Sequence, residues 1–236
     1  VIHLKCNSSD LGKYVLLPGD PKRAKYVALN FLKEAQLVSD YRGLDSYTGK
    51  YKDIRVSVVT TGMGCPSAAI VTEELIMLGA TTLIRIGTCG AIQKEISTGS
   101  IIIPTGAIPL VGIINQYNLA CFCPTPDFYV LKALVQSAKE LDKETSLGLI
   151  ATSDSFYNEM DQAKSWSSKN ILGLEMECAG IFAIAYLKKI KAAAILAVTG
   201  NLLFHEQVLD NEATKKAIDD EIEVALRAIE LLDLEG

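Results

Sequence analysis

Apolar residues fall into two rhythms along this chain. Compact apolar runs at Tyr14–Leu17 and at residues 82–86, 100–104, 146–152 and 192–198 are too short for helices. Each runs into a segment containing Gly, Pro or Asp, so these runs predict strands. Residues 192–198 are apolar throughout, which suits the interior of a sheet. Residues 171–177 read as a further apolar strand, and residues 47–59 as a hairpin-like pair. Between them the spacing becomes helical. Pro21 opens a helix to about Phe31. Pro66 opens another, with Ala69, Ile70, Leu75, Ile76 and Leu78 on its packed side and Gly79 at its end. A third occupies roughly residues 128–141 with Asp127 near its start, and a fourth Cys178–Leu187. Residues 212–234 close the chain as an amphipathic helix with Ile218, Ile222, Ala225, Ile229 and Leu232 on one face. Residues 106–118 read as an irregular loop, and 158–169, with the single Trp166, as a helix or lid. No repeat or linker interrupts the alternation. It predicts one α/β domain over residues 1–236, with helices flanking a mainly parallel sheet.

Charge enters this pattern at a few places where it is costly. The strand at 82–86 carries Arg85 and runs into Gly87-Thr88-Cys89-Gly90, read as a glycine turn. An arginine at the carboxyl end of a buried strand, beside free N–H groups and a hydroxyl, suits an oxyanion. An ordinary strand with a snorkelling arginine fits the same spacing. Gly19 and Arg23 follow the first strand in the string Gly19-Asp20-Pro21-Lys22-Arg23, and Gly62 and Gly64 flank Met63 before the second helix. Glycines there let the backbone turn and approach a ligand. The run at 171–177 ends in Glu175-Met176-Glu177. Two acids on a buried strand are costly unless they bind something. They either accept from a ligand's hydroxyls or cap the helix that follows.

Composition narrows the classes. The 236 residues are 49% hydrophobic and 22% charged, enough for a large core. A net charge of −5 argues against a nucleic-acid surface, and no apolar run is long enough to span a membrane. The opening VIHLKCNSSD is no secretory signal, and Val1 implies an initiator Met removed or not counted. Six cysteines without C-x-x-C spacing read as mostly free thiols of a cytoplasmic protein. A Cys121–Cys123 disulfide is the alternative for that close pair. His3 and His205 are too far apart in sequence to suggest a metal site.

Gly62, Met63, Gly64, Pro66, Ser67, Ile70, Glu74 and Leu75, together with Arg85 to Gly90, the G-D-P-x-R string and the E-M-E string, resemble the nucleoside phosphorylase family of hexameric purine nucleoside phosphorylases and uridine phosphorylases. The match is collinear over nearly the whole chain. It implies a twisted central sheet with a small distorted barrel, and a hexamer built as a trimer of dimers. It implies no cofactor and no metal, with inorganic phosphate as co-substrate. Gly19, Arg23, Arg85 and Thr88 would bind phosphate, completed by a neighbour's Arg42. Met63, Glu175, Met176 and Glu177 would hold the ribose, completed by a neighbour's His3, which by itself reads as a solvated N-terminal histidine. Phe156, Gly200 and Asn201 would face the base, with Arg85, Glu177 and Asn201 as the catalytic set. The implied reaction is phosphorolysis of a purine nucleoside to base and (deoxy)ribose 1-phosphate.

The chain departs from the family at one point. Purine members commonly carry an Asp where Gly200 stands, and residues 199–201 contain no acid; Asn201, His205 and Glu206 are the nearest substitutes. A uridine phosphorylase is therefore the alternative, although Asn158-Glu159-Met160-Asp161-Gln162 lacks the Gln and Arg with which those enzymes read uracil. A 5′-methylthioadenosine phosphorylase, a nucleosidase and a non-catalytic nucleoside-binding protein are further alternatives. A dinucleotide oxidoreductase is disfavoured because no G-x-G-x-x-G turn follows the first strand.

Overall fold

A computed structural model of the chain describes residues 1–204, 206–207 and 212–235. The elements run β1 (Tyr14–Leu17), α1 (Pro21–Phe31), β2 (Lys33–Ser39), β3 (Ser46–Tyr51), β4 (Ile54–Val59), α2 (Cys65–Met77), β5 (Thr82–Ala91), β6 (Ile101–Leu110), α3 (Ile113–Gln116), α4 (Phe128–Glu140), β7 (Thr145–Ser153), α5 (Glu159–Ser167), β8 (Gly173–Glu175), α6 (Cys178–Leu187), β9 (Lys191–Asn201), β10 (Glu206–Gln207) and α7 (Glu212–Glu235). The ten strands among the described residues belong to one mixed sheet in the order β10-β9-β6-β7-β8-β5-β1-β4-β3-β2. Its centre, β4-β1-β5-β9, is parallel, and the β2-β3-β4 meander is antiparallel. A second pairing between β5 and β9 closes β5, β9, β6, β7 and β8 into a five-stranded barrel, the small distorted barrel expected beside a twisted sheet.

Two apolar cores lie on the faces of the sheet. One packs α2 and α6 around Leu75, Ile102, Phe182 and Leu196. The other packs α1, α4 and α7 around Val27, Leu134, Ile195 and Ile229. The helix starts follow from the sequence. Asp20 accepts from the Lys22 N–H ahead of Pro21, and Asp127 from the N–H groups of Tyr129 and Val130.

Four elements differ from the sequence expectation, each for a local reason. Gly87 to Gly90 is not a turn. β5 continues through it, paired with β9 as far as Ala91 opposite Asn201. Its glycines answer side-chain crowding: a Cβ on Gly87 would meet the Arg85 guanidinium carbon at 2.7 Å, and one on Gly90 would meet Leu202 at 2.9 Å. Residues 106–118 are not a loop over a site, because β6 runs on to Leu110 paired with β7, and α3 follows. The strand read at 171–177 shrinks to Gly173–Glu175, since the chain turns at Met176 to start α6. On α2 the buried residues are Cys65, Ala68, Ala69, Val71, Thr72, Glu74 and Leu75. Ile70 is 42% exposed, because a helix apolar nearly all round does not reveal its inner face.

Candidate active site

Loops leaving the carboxyl ends of β1, β4, β7, β8 and β9 meet the outer half of β5 around one cavity of about 790 Å³. A crevice at the carboxyl ends of parallel strands is where open α/β sheets bind ligands. Two of these loops are tied together: Thr61 N–H donates to Pro18 O at 2.9 Å, and Gly19 would place a Cβ 3.3 Å from Gly62 O. Gly62 and Gly64 both have positive φ, 71° and 83°, which the tight bend around Met63 requires. Met63 itself is 84% exposed at the rim.

Gly19, Arg23, Met63, Arg85, Thr88, Phe156, Glu175, Met176, Glu177 and Gly200 all line this cavity, so most residues singled out from sequence converge. Arg85 is buried between two acids. Its Nε donates to Glu175 Oε2 at 3.1 Å and its Nη2 pairs with Glu177 Oε2. Burial alone would lower the Arg85 pKa, but Glu177 and Glu175 more than offset it and keep the guanidinium charged. Nη1 of Arg85 is buried and has no hydrogen-bond partner among the described residues, leaving donors unspent beside the cavity.

The two acids of the E-M-E string divide the roles that the sequence left open. Glu175 is a structural hub. It accepts Thr152 Oγ1 at 2.5 Å and the N–H groups of Glu177 and Cys178, capping α6 as well as holding Arg85. Its side chain is fully buried, with both oxygens engaged within the chain. Glu177 accepts the Gly64 N–H at 2.6 Å, which ties α6 to the glycine loop before α2. Burial pushes the Glu177 carboxyl up, against the pull of Arg85.

The other end of the cavity is apolar. Phe156, Tyr157, Met160, Leu174 and Leu202 line it beside Gly90, Thr199 and Gly200. Phe156 and Tyr157 meet edge to face at 5.3 Å and are largely exposed. Tyr157, Met160 and Leu202 were not singled out from sequence, and their apolar character is no signal in an apolar-rich chain.

Asn201 does not line this cavity, and neither do Arg42 and His3, which were expected in a neighbour's site. Asn201 is corrected: its amide donates to Gln93 O at 2.8 Å and Ile96 O at 3.0 Å, and its Oδ1 accepts the Leu203 N–H. The side chain is spent on holding the turn after β5 and has no donor left for a base. Arg42 is exposed, adopts a positive φ of 59°, and has no ion-pair partner among the described residues. His3 stacks its backbone and Nδ1 against Glu74 on α2, at 2.9 and 2.7 Å. His205 lies outside the described residues, and Glu206 is placed by its backbone pairing with Asn201.

One further acid escaped the sequence reading. Glu221 of α7 is fully buried directly behind Arg23, with its Oε1 3.8 Å from Arg23 Nη1. A signal was present: Glu221 falls on the apolar face of α7, three residues after Ile218 and beside Ile222. Cys89 in the cavity wall and Cys65 and Cys178 behind it are free, and burial pushes each thiol up, away from reactive thiolate. Cys121 and Cys123 are free and exposed.

Comparison with known proteins gives the geometry a family. The family model of the phosphorylase superfamily matches residues 13–232. A purine nucleoside phosphorylase DeoD-type of Thermoanaerobacter sp. (strain X514) is 38% identical over 232 residues, covering 97% of this chain and 99% of the relative. A guanosine phosphorylase of Halorubrum lacusprofundi is 36% identical over 95% of this chain and 94% of its own length. A uridine phosphorylase of Treponema pallidum is also 36% identical, over 98% of this chain and 93% of its own. With a family match across nearly its whole length and relatives above a third identical, the chain belongs to the phosphorylase superfamily.

Proposed function

We propose that this protein is a nucleoside phosphorylase, a pentosyltransferase that cleaves the N-glycosidic bond of a purine nucleoside with inorganic phosphate. The observation that carries the reading is the meeting, in one cavity, of Arg23 and Arg85, of Glu177 paired with Arg85, and of an apolar wall. Phosphate is received at Arg23, Arg85, Gly19 and Thr88, where guanidiniums and backbone N–H groups compensate a dianion out of water. Arg85 Nη1, without a hydrogen-bond partner among the described residues, supports this assignment. Glu177 and Met176 hold the ribose; the carboxylate accepts from the vicinal hydroxyls and Met63 closes the rim. Glu175 acts through Arg85 and the α6 amides rather than on the sugar.

The base lies against Phe156, Tyr157 and Leu202. As the glycosidic bond lengthens, positive charge grows on the sugar, as in other glycosyl transfers. The phosphate dianion held beneath it stabilises that charge and then bonds to C1′. Positioning and electrostatics carry the step, with no covalent enzyme intermediate. Arg42 and His3, which do not line this chain's own cavity, complete the site of a neighbouring copy in a homo-oligomer, a hexamer in the reading from sequence. The exposed Arg42, without an ion-pair partner among the described residues, and the exposed apolar Ile70 and Met77 on α2 support such contacts. Free thiols throughout suit a cytoplasmic setting.

A uridine phosphorylase is the second reading. It is favoured by Gly200, which offers the base no acid, and by the 36% identity to a uridine phosphorylase. The 38% identity to a purine nucleoside phosphorylase favours the purine. Base release from inosine, guanosine, adenosine, 5′-methylthioadenosine and uridine separates the two. Turnover of purines is the expected result, and turnover of uridine alone reverses the base assignment.

A further inference from the structure

Behind the oxyanion end of the cavity sits an acid that the reaction does not require. Glu221 reaches from α7 to the sheet, where its Oε2 accepts the Ala197 N–H of β9 at 3.0 Å. The Gly87 N–H of β5 also faces the carboxyl. Its Oε1 is buried with no hydrogen-bond partner among the described residues and lies 3.8 Å from Arg23 Nη1. That separation exceeds a hydrogen bond, so the guanidinium is near the acid without being bound by it. The helices that carry the two residues are pinned one turn away, where Tyr26 Oη of α1 donates to Asp219 of α7 at 2.7 Å.

We propose that Glu221 is a positioning residue for the oxyanion end of the cavity: as a neutral carboxyl it leaves the Arg23 guanidinium to the bound anion, and as a carboxylate it draws the guanidinium back into an ion pair. The inference rests on the reading of Arg23 as an oxyanion ligand. Two guanidiniums face Glu221, Arg23 from α1 and Arg85 from β5, and the Cys89 thiol lies on the same strand. β9 contributes the Ala197 amide, while Lys143, in the turn after α4, goes to Asp220 and Glu223. Burial pushes the Glu221 carboxyl up to about 8, opposed by Arg23, the Ala197 amide, Arg85 and the Gly87 amide. The neutral form therefore prevails near neutral pH, and the carboxylate appears as the pH rises through that value. A dianion bound at Arg23 repels the carboxylate, so binding above that pH takes up one proton from solvent onto Oε1.

The test is sulfate binding to the intact protein by calorimetry from about pH 7 to about pH 9.5, in pairs of buffers with different ionisation heats. Sulfate stays a dianion throughout, so any proton taken up belongs to the protein. Wild type is expected to lose affinity by about tenfold per pH unit above about pH 8, with uptake approaching one proton per sulfate. Glu221→Gln is expected to bind sulfate at neutral pH like wild type, with a flat pH profile and no proton uptake. Glu221→Met, of similar volume, is the second variant should Gln fail to fold, and the same flat profile is expected. A flat profile in wild type, or an unchanged slope in the folded variant, overturns the role of Glu221 and leaves the oxyanion site standing. Absence of both sulfate and phosphate binding at every pH overturns the oxyanion reading itself and this proposal with it.

Discussion

Arg85 is held in place by a residue with no side chain. Its guanidinium folds over Gly87, and a methyl there would lie 2.7 Å from the guanidinium carbon and 2.8 Å from Nη2. Gly87→Ala should therefore displace Arg85 while leaving β5 paired to β9. The expected outcome is a loss of about a hundredfold in kcat/KM for phosphate, read from initial rates at saturating nucleoside. Glu177 makes a second residue-scale prediction. As the acceptor of the ribose hydroxyls, Glu177→Gln should cost ribonucleosides roughly ten- to a hundredfold more in kcat/KM than their 2′-deoxy counterparts. An equal loss for both would remove the 2′-hydroxyl contact. At this scale the sequence was legible wherever a costly residue declared itself. Arg85 in a buried strand and two acids after an apolar run announce a site by their desolvation cost. Asn201 was misread because a polar residue at a strand end can serve the fold as well as a ligand. Here two carbonyls of the turn after β5 claim it. Glu221 was legible only by its place on the helix face, and the partner that matters, Arg23, is nearly two hundred residues away.

At the scale of elements, single acids decide where segments begin and attach. Glu74 on α2 anchors the N-terminal segment, accepting the N–H groups of Ile2, His3 and Leu4 and bonding the His3 ring. Burial alone would raise the Glu74 pKa, yet the Leu4 and His3 bonds with that of Ile2 outweigh it and lower the pKa from 4.5 to about 2. A carboxyl depressed in the folded state stabilises fully above its unfolded pKa and loses that contribution as pH falls through the folded one. The attachment should thus weaken between about pH 4.5 and about pH 2, at a cost of up to about 3 kcal/mol. Protection of the Leu4 amide in hydrogen exchange reads it directly, and undiminished protection at about pH 2 would contradict the assignment. Thr152 plays the matching part for α6, donating to Glu175 and accepting the Ala179 N–H. Thr152→Val, which leaves a buried carboxylate short of a donor, should lower stability by about 1–3 kcal/mol in a denaturant melt. The elements that sequence periodicity misjudged are those decided by distant pairing. β5 passes through Gly87 and Gly90 because β9 lies alongside, and β6 extends to Leu110 because β7 does. Neither partner is visible in the local pattern of the other strand.

For the whole molecule, barrel closure is what brings the site together. β5 pairs with β8 at Gly90 opposite Leu174, and with β9 along its length, so the Glu175–Glu177 segment at the end of β8 and the end of β9 reach the same cavity as Arg85. The alternation of strands and helices foretold an α/β sheet, and the resemblance carried by residues 19–23, 62–75, 85–90 and 175–177 foretold the barrel. Subunit contacts have no such local signature. Arg42→Ala tests them: remote from its own cavity, it should still raise KM for phosphate about tenfold if a neighbouring copy uses it. An unchanged KM would confine the site to one chain. The measurement closest to the central claim is phosphorus NMR of the sugar product formed from a purine nucleoside, with and without inorganic phosphate. The account predicts that base release requires phosphate and is matched, molecule for molecule, by a sugar 1-phosphate. Base release at the same rate without phosphate, with free sugar as product, would contradict it.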